Sequence, residues 1–210
     1  HDFHGDPEFV VLAIKPQAAD DLLPVMANFK RAIYISIMAG KTTHYLSNKL
    51  LSMEVVRAMP NLPATIGAGY TALFAPAQVQ AAKREEITQM FSACGDTIWL
   101  EKETDMDSIT ALSGSGPAYV FLFAEAMVEA GKSFGLSEEV AKAAALQTII
   151  GGAEYAKHAD LSLAELQSAV ASKGGTTQAA LDVLQEGDAM KKLVASAMQA
   201  AKRRSEDLAE

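Results

Sequence analysis

Ser172-Lys173-Gly174-Gly175-Thr176-Thr177 is the stretch whose residue types could bind a small anion. Paired glycines let the backbone turn in ways closed to other residues, and the two threonines stand where a helix would begin. Ala180, Leu181 and Leu184 follow at the spacing of one helical face. The loop would therefore aim unpaired backbone N–H groups and the positive end of a helix dipole at one point. A carboxylate or a phosphate would seat there. The plainer alternative is a glycine turn capped by the hydroxyl of Thr176 or Thr177.

Other candidates are fewer. Lys15 directly follows an apolar run and is well placed to meet an anionic ligand, with an exposed solubilising lysine as the alternative. His1, His4, His44 and His158 are scattered, match no metal-ligand spacing and read as surface residues, so no metal site is expected. No G-x-S-x-G elbow, P-loop or H-E-x-x-H is present. Ser115 lies between Gly114 and Gly116 and reads as a close-packing residue rather than a nucleophile. Lys202, Arg203 and Arg204 complement the dipole of the last helix.

The chain of 210 residues is 50% hydrophobic and 21% charged, an ordinary globular composition. A mean hydropathy of +0.09 suggests apolar surface covered by another subunit. The net charge of −8 argues against a nucleic-acid partner, whose footprint would be basic. Cys94 is the single cysteine, which fits a reducing cytosol and a cytoplasmic location. No apolar run approaches the length of a bilayer crossing and no signal peptide opens the chain, so no membrane association is expected. His1 stands where an initiator Met would be expected, which is consistent with a fragment.

The elements that must position these residues change character midway. Residues 9–14, 32–37 and 53–59 read as buried parallel strands, 70–74 as a fourth and 96–100 as a short fifth. Helices are expected over 17–29, with Leu22, Leu23 and Met26 inward, over 42–51, with Thr43 as cap, and over 78–92. Strands and helices alternating in this way imply a parallel, doubly wound sheet whose ligands sit beyond the carboxyl ends of the strands. From about Glu103 the pattern is helical: 107–136, interrupted at Ser113-Gly114-Ser115-Gly116-Pro117, then 137–159, 162–172, 176–185 and 187–208.

Four stretches, taken in order, resemble pyrroline-5-carboxylate reductase, which makes proline by reducing a cyclic imine with NADPH or NADH. They are Val11–Pro16, Val56-Arg57-Ala58-Met59-Pro60-Asn61-Leu62-Pro63, Leu112–Tyr119, and Ser172–Thr177 with the helix after it. The resemblance implies an α/β plus all-α protein. An incomplete Rossmann-type parallel sheet domain, 1–103, would bind the dinucleotide, and a helical domain, 104–210, would bind substrate and form a homodimer or larger oligomer. It implies that Ala13, Ile14, Lys15 and Pro16 hold the cofactor phosphates and ribose, and that Met38, Ala39, Gly40 and Asn61 line the cofactor further along. Val170, Ser172, Gly174, Gly175, Thr176 and Thr177 match the loop that takes the substrate carboxylate. Hydroxy-acid reductases of related architecture carry a catalytic lysine after the glycine turn, and Pro117–Met127 holds none.

The family opens with a strand and a G-x-G-x-x-G/A-like turn for the cofactor pyrophosphate, and nothing of that kind precedes Val10. A piece of a longer protein, or a chain with a lost cofactor grip, is therefore expected. The rival readings are a catalytically idle helical dimer module and a related imine or keto-acid reductase. Thr177 is the catalytic candidate, its hydroxyl donating to the substrate nitrogen as that becomes an amine.

Overall fold

In the first half of the chain, Val, Ile and aromatic residues gather in short runs that form strands in the computed structural model, which describes residues 5–208. The strands are β1 Phe9–Leu12, β2 Ile33–Ser36, β3 Val55–Met59, β4 Gly69–Phe74 and β5 Gly95–Trp99, in that order across one sheet. β1, β2 and β3 are mutually parallel, as are β4 and β5. β4 runs antiparallel to β3, with Arg57 opposite Phe74 and Met59 opposite Ala72. The sheet is thus mostly parallel, as expected of a Rossmann-type domain, and the β3–β4 pair alone departs from that expectation. The link between β3 and β4 holds only a 3-10 turn, Leu62–Ile66, and a parallel crossover needs about a dozen residues or more.

Helices α1 Ala19–Met26 and α2 Thr43–Leu50 pack with one core, built from Leu12, Leu23, Tyr34, Leu46, Leu50 and their neighbours. Helix α3 Ala81–Ser92 brings Ile87 to a second core with Ile33, Ile35, Val56 and Leu73. Tyr34 thus points opposite to Ile33 and Ile35, as the pleat requires. Two expectations of burial fail. Val11 is 46% exposed because β1 lies at the end of the sheet order. Leu22 is 43% exposed because a 3-10 turn, Pro16–Ala18, delays α1, and Ala19 and Leu23 then form its inward stripe.

The second half is helical: α4 Asp105–Ile109, a π turn Thr110–Gly114, α5 Gly116–Ser133, α6 Glu138–His158, α7 Leu163–Val170, α8 Thr176–Gln185 and α9 Ala189–Asp207. Pro117 occupies the first turn of α5, where its missing N–H costs nothing. Ser137 caps α6 by accepting from Val140 N, and Ser162 forms a capping box with Glu165.

The chain divides into two compact units. One runs to Pro117 and takes in the chain from Met198, and holds the sheet. The other is Ala118–Ala197. Its buried hydrophobics are Ala124, Ala141 and Ala145, whereas Phe121, Ile150, Tyr155 and Val183 are more than half exposed. A unit that buries so little in itself needs another apolar surface. The helical run Asp105–Ser133, 29 residues long, also passes the length and composition of a bilayer crossing.

Candidate functional site

The residues of the expected anion loop come together at the junction of α7 and α8. Val170 ends α7 and is 68% exposed. Ser172 and Gly174 are exposed, and Gly174 has φ +73°, the left-handed region open to glycine. Gly175 N donates to Ser172 O at 2.9 Å, closing the turn. A Cβ on Gly175 would meet Ser172 Oγ, and that hydroxyl would have to turn aside to admit it. Gly175 is the N-cap of α8 and no side chain caps that end; Thr176 and Thr177, both exposed, are its first two residues. The threonine-capped alternative therefore does not form. The first-turn amides of α8 have no intrahelical acceptor and no capping side chain, and lie at the surface with the dipole behind them.

The second group lies at the carboxyl ends of the parallel strands. Ala13 to Pro16 follow β1, with Lys15 exposed and Ala18 N donating to Lys15 O at 2.9 Å. Met38, Ala39 and Gly40 follow β2, and Ile37 N donates to Leu12 O at 3.3 Å, joining the two strand ends. Met38 is buried, at 3% exposed, and packs into the core that holds Leu12 and Tyr34. Gly40, four residues beyond the end of β2, has φ +79°, a turn that a side chain would strain. Asn61 follows β3. Its Oδ1 accepts from Tyr70 N at 2.9 Å and its Nδ2 donates to Ser113 O at 3.3 Å, so both ends of its carboxamide are engaged.

Sequence reasoning missed a polar network at this edge. Glu103 Oε1 accepts from Thr43 N at 2.6 Å and from Arg57 Nη1 at 3.0 Å, and Glu103 Oε2 accepts from Thr43 Oγ1 at 2.7 Å. Thr43 is thus not the cap of α2. Thr42 is, its hydroxyl accepting from Tyr45 N. The signal that could have found the network is Arg57 itself, a cation inside a buried strand, which demands a carboxylate. Ser113 Oγ, on the π turn that Asn61 touches, is buried with no hydrogen-bond partner. His44 and His158 are exposed, with Asn48 and Glu154 as partners; His1 and His4 lie outside the described residues.

These residues fit a dinucleotide. Two adjacent parallel strands end side by side, Ala13 and Lys15 are exposed beyond the first of them, a left-handed glycine follows the second, and Ser113 Oγ is an orphan that a further polar group would satisfy. A Rossmann-type sheet edge of this kind, joined to a helical unit with bare apolar faces and an anion loop, defines a dinucleotide-dependent oxidoreductase with a helical dimerisation domain.

A model of the pyrroline-5-carboxylate reductase dimerisation domain matches residues 103–208. Pyrroline-5-carboxylate reductase of Pseudomonas aeruginosa is 42% identical, over 98% of this chain and 76% of that protein. The Synechocystis enzyme of the same name is 39% identical, over 96% and 75%. Among solved structures, the pyrroline carboxylate reductase of Plasmodium falciparum with NADP bound superposes with a TM-score of 0.89 at 33% identity, covering 97% of this chain and 78% of that one. The Coxiella burnetii reductase gives the same TM-score at 36% identity, covering 97% and 76%. The chain belongs to the pyrroline-5-carboxylate reductase family, NAD(P)H-dependent oxidoreductases that act on a C=N bond and assemble as homo-oligomers.

Proposed function

We propose that this chain reduces 1-pyrroline-5-carboxylate to L-proline with NAD(P)H, the last step of proline biosynthesis, through the two groups of residues described above. The observation that carries the reading is the uncapped N-terminus of α8 behind the Gly174-Gly175 turn. Residues 1–103 would form the cofactor part, and 104–210 the substrate and dimerisation part. The family match beginning at residue 103 supports that division. A cytoplasmic location belongs to the same proposal and is supported by the lone cysteine, Cys94.

The amides at Thr176 and Thr177 hold the substrate carboxylate and fix one end of the ring, helped by the dipole of α8, while Gly174 and Gly175 shape the turn that bares them. Val170 and Ser172 border that seat. Ala13 to Pro16, Met38 to Gly40 and Asn61 hold the cofactor, Lys15 meeting a phosphate and the strand ends offering backbone groups. The nicotinamide, when bound, supplies a hydride to the imine carbon. As that carbon gains the hydride, the C=N π pair moves to nitrogen, and a proton must be in place there for the amine to form. The Thr177 hydroxyl donates a hydrogen bond to this nitrogen, and water makes good the proton. Most of the acceleration comes from holding the ring in place.

The experiment is direct. The chain is mixed with NADPH and 1-pyrroline-5-carboxylate, and loss of dihydronicotinamide absorbance is followed against proline formed. Equal amounts consumed and formed support the reading. NADPH binding without turnover would favour the idle dimer module, and turnover only with other imines or keto acids would favour a related reductase.

A further inference from the structure

Gly40 lies in the cofactor loop that follows β2, and the space where its side chain would be is not empty. A Cβ built there would stand 2.8 Å from Leu208 Cβ and 2.9 Å from the Leu208 carbonyl carbon and oxygen. The far end of the chain is thus packed onto the turn Met38–Gly40, within the same compact unit. Leu208 is half-buried there, and its N–H donates to Arg204 O at 3.2 Å, carrying the last turn of α9 onward. One turn earlier, Ser205 is 4% exposed and donates from Oγ to Asp107 Oδ1 of α4 at 2.6 Å. A polar serine buried on an otherwise exposed, charged helix end marks a docked end rather than a fraying one.

We propose that the last turn of α9 is a brace for the cofactor loop, with Leu208 as a positioning residue that holds Gly40 and Ser205 as the anchor that holds Leu208. The inference rests on the cofactor role assigned above to Met38–Gly40. A glycine turn with φ +79° has more backbone freedom than any other residue would allow, and ordering it on ligand binding costs conformational entropy. Leu208 settles that cost before the ligand arrives, which is the general advantage of preorganisation. Glu103 fixes the other end of the same segment through Thr43, so the turn is held at both ends.

The test uses the full chain carrying Leu208→Gly, Leu208→Ala or Ser205→Ala. NADPH affinity is read by dihydronicotinamide fluorescence, the kinetic constants by turnover, and loop order by hydrogen exchange over residues 37–43. Leu208→Gly, which removes the Cβ that faces Gly40 and loosens the backbone beside it, should weaken NADPH binding about fivefold and speed exchange of that segment, with kcat and the KM for 1-pyrroline-5-carboxylate within about twofold. Leu208→Ala keeps the Cβ and should bind as the unaltered chain does, and Ser205→Ala should shift binding in the same direction as Leu208→Gly. Unchanged NADPH affinity in both Leu208→Gly and Ser205→Ala, or a parallel loss in both KM values, overturns the brace while leaving the family reading intact. Failure of the unaltered chain to bind NADPH overturns both.

Discussion

Arg57 Nη1 lies 3.0 Å from Glu103 Oε1, and the arginine side chain is only 5% exposed. The same carboxylate reaches the first residue of α2, so one glutamate neutralises a cation in β3 and fixes the exit of the Met38–Gly40 loop. Arg57 Nε has no partner of its own, which leaves the guanidinium dependent on Glu103.

Removing that carboxylate strands a buried charge. Glu103→Ala should cost about 3 kcal/mol of unfolding free energy, the low end for a broken buried pair because Glu103 keeps some contact with solvent. Urea titration measures it. A loss within about 0.5 kcal/mol would mean that Arg57 finds water or another acceptor.

Asn61 ties the exit of β3 to β4 and to the π turn. Asn61→Ala frees Tyr70 N and Ser113 O, and should cost about 1–3 kcal/mol. With the π turn released, the KM for NAD(P)H should rise more than the KM for the imine, as steady-state kinetics would read.

Thr177 is exposed at the start of α8, and its hydroxyl is not used as a cap. Thr177→Ala should lower kcat roughly tenfold, about 1.4 kcal/mol of barrier, with little change in the KM for the cofactor. Thr177→Ser should recover most of it. An unchanged rate in the alanine variant would remove Thr177 from the proton path.

Helix α7, which leads into the anion loop, begins with a carboxylate-dependent cap. The Ser162 hydroxyl, then its amide, hold Glu165 below the ordinary value of 4.5. A folded-state value below the unfolded one gives a contribution that is present above pH 4.5 and is lost as pH falls through the folded value. Protection of the amides at the start of α7, taken relative to their chemical exchange rate at each pH, should therefore fall below pH 4.5, and Glu165→Gln should flatten that dependence. Equal profiles in the two proteins would show that the cap carries no pH dependence.

Much of this fold is written locally, and the local parts were the legible ones. Ser137 and Ser162 announce their helices because a cap acts on residues three positions away, and α8 spans Thr176–Gln185 as its spacing predicts. The direction of β4 was not legible, because a run of apolar residues carries no sign of which way it is laid. Leu22 and Val11 look as apolar as the buried Leu23 and Leu12, and only the packed neighbours tell them apart. At the site, the glycines of the α8 loop declare themselves through backbone demands. Glu103 does not, since Arg57 and Thr43 lie 46 and 60 residues away in sequence. Leu208 against Gly40 is of the same kind.

The central claim is that the bared amides ahead of α8 hold the carboxylate of the substrate. The measurement closest to it is the KM for 1-pyrroline-5-carboxylate and for NADPH in Gly174→Ala, where any side chain at φ +73° strains the turn. The account predicts that the imine KM rises about tenfold or more while the NADPH KM stays within about twofold. An unaltered imine KM, or an equal rise in both, would contradict it.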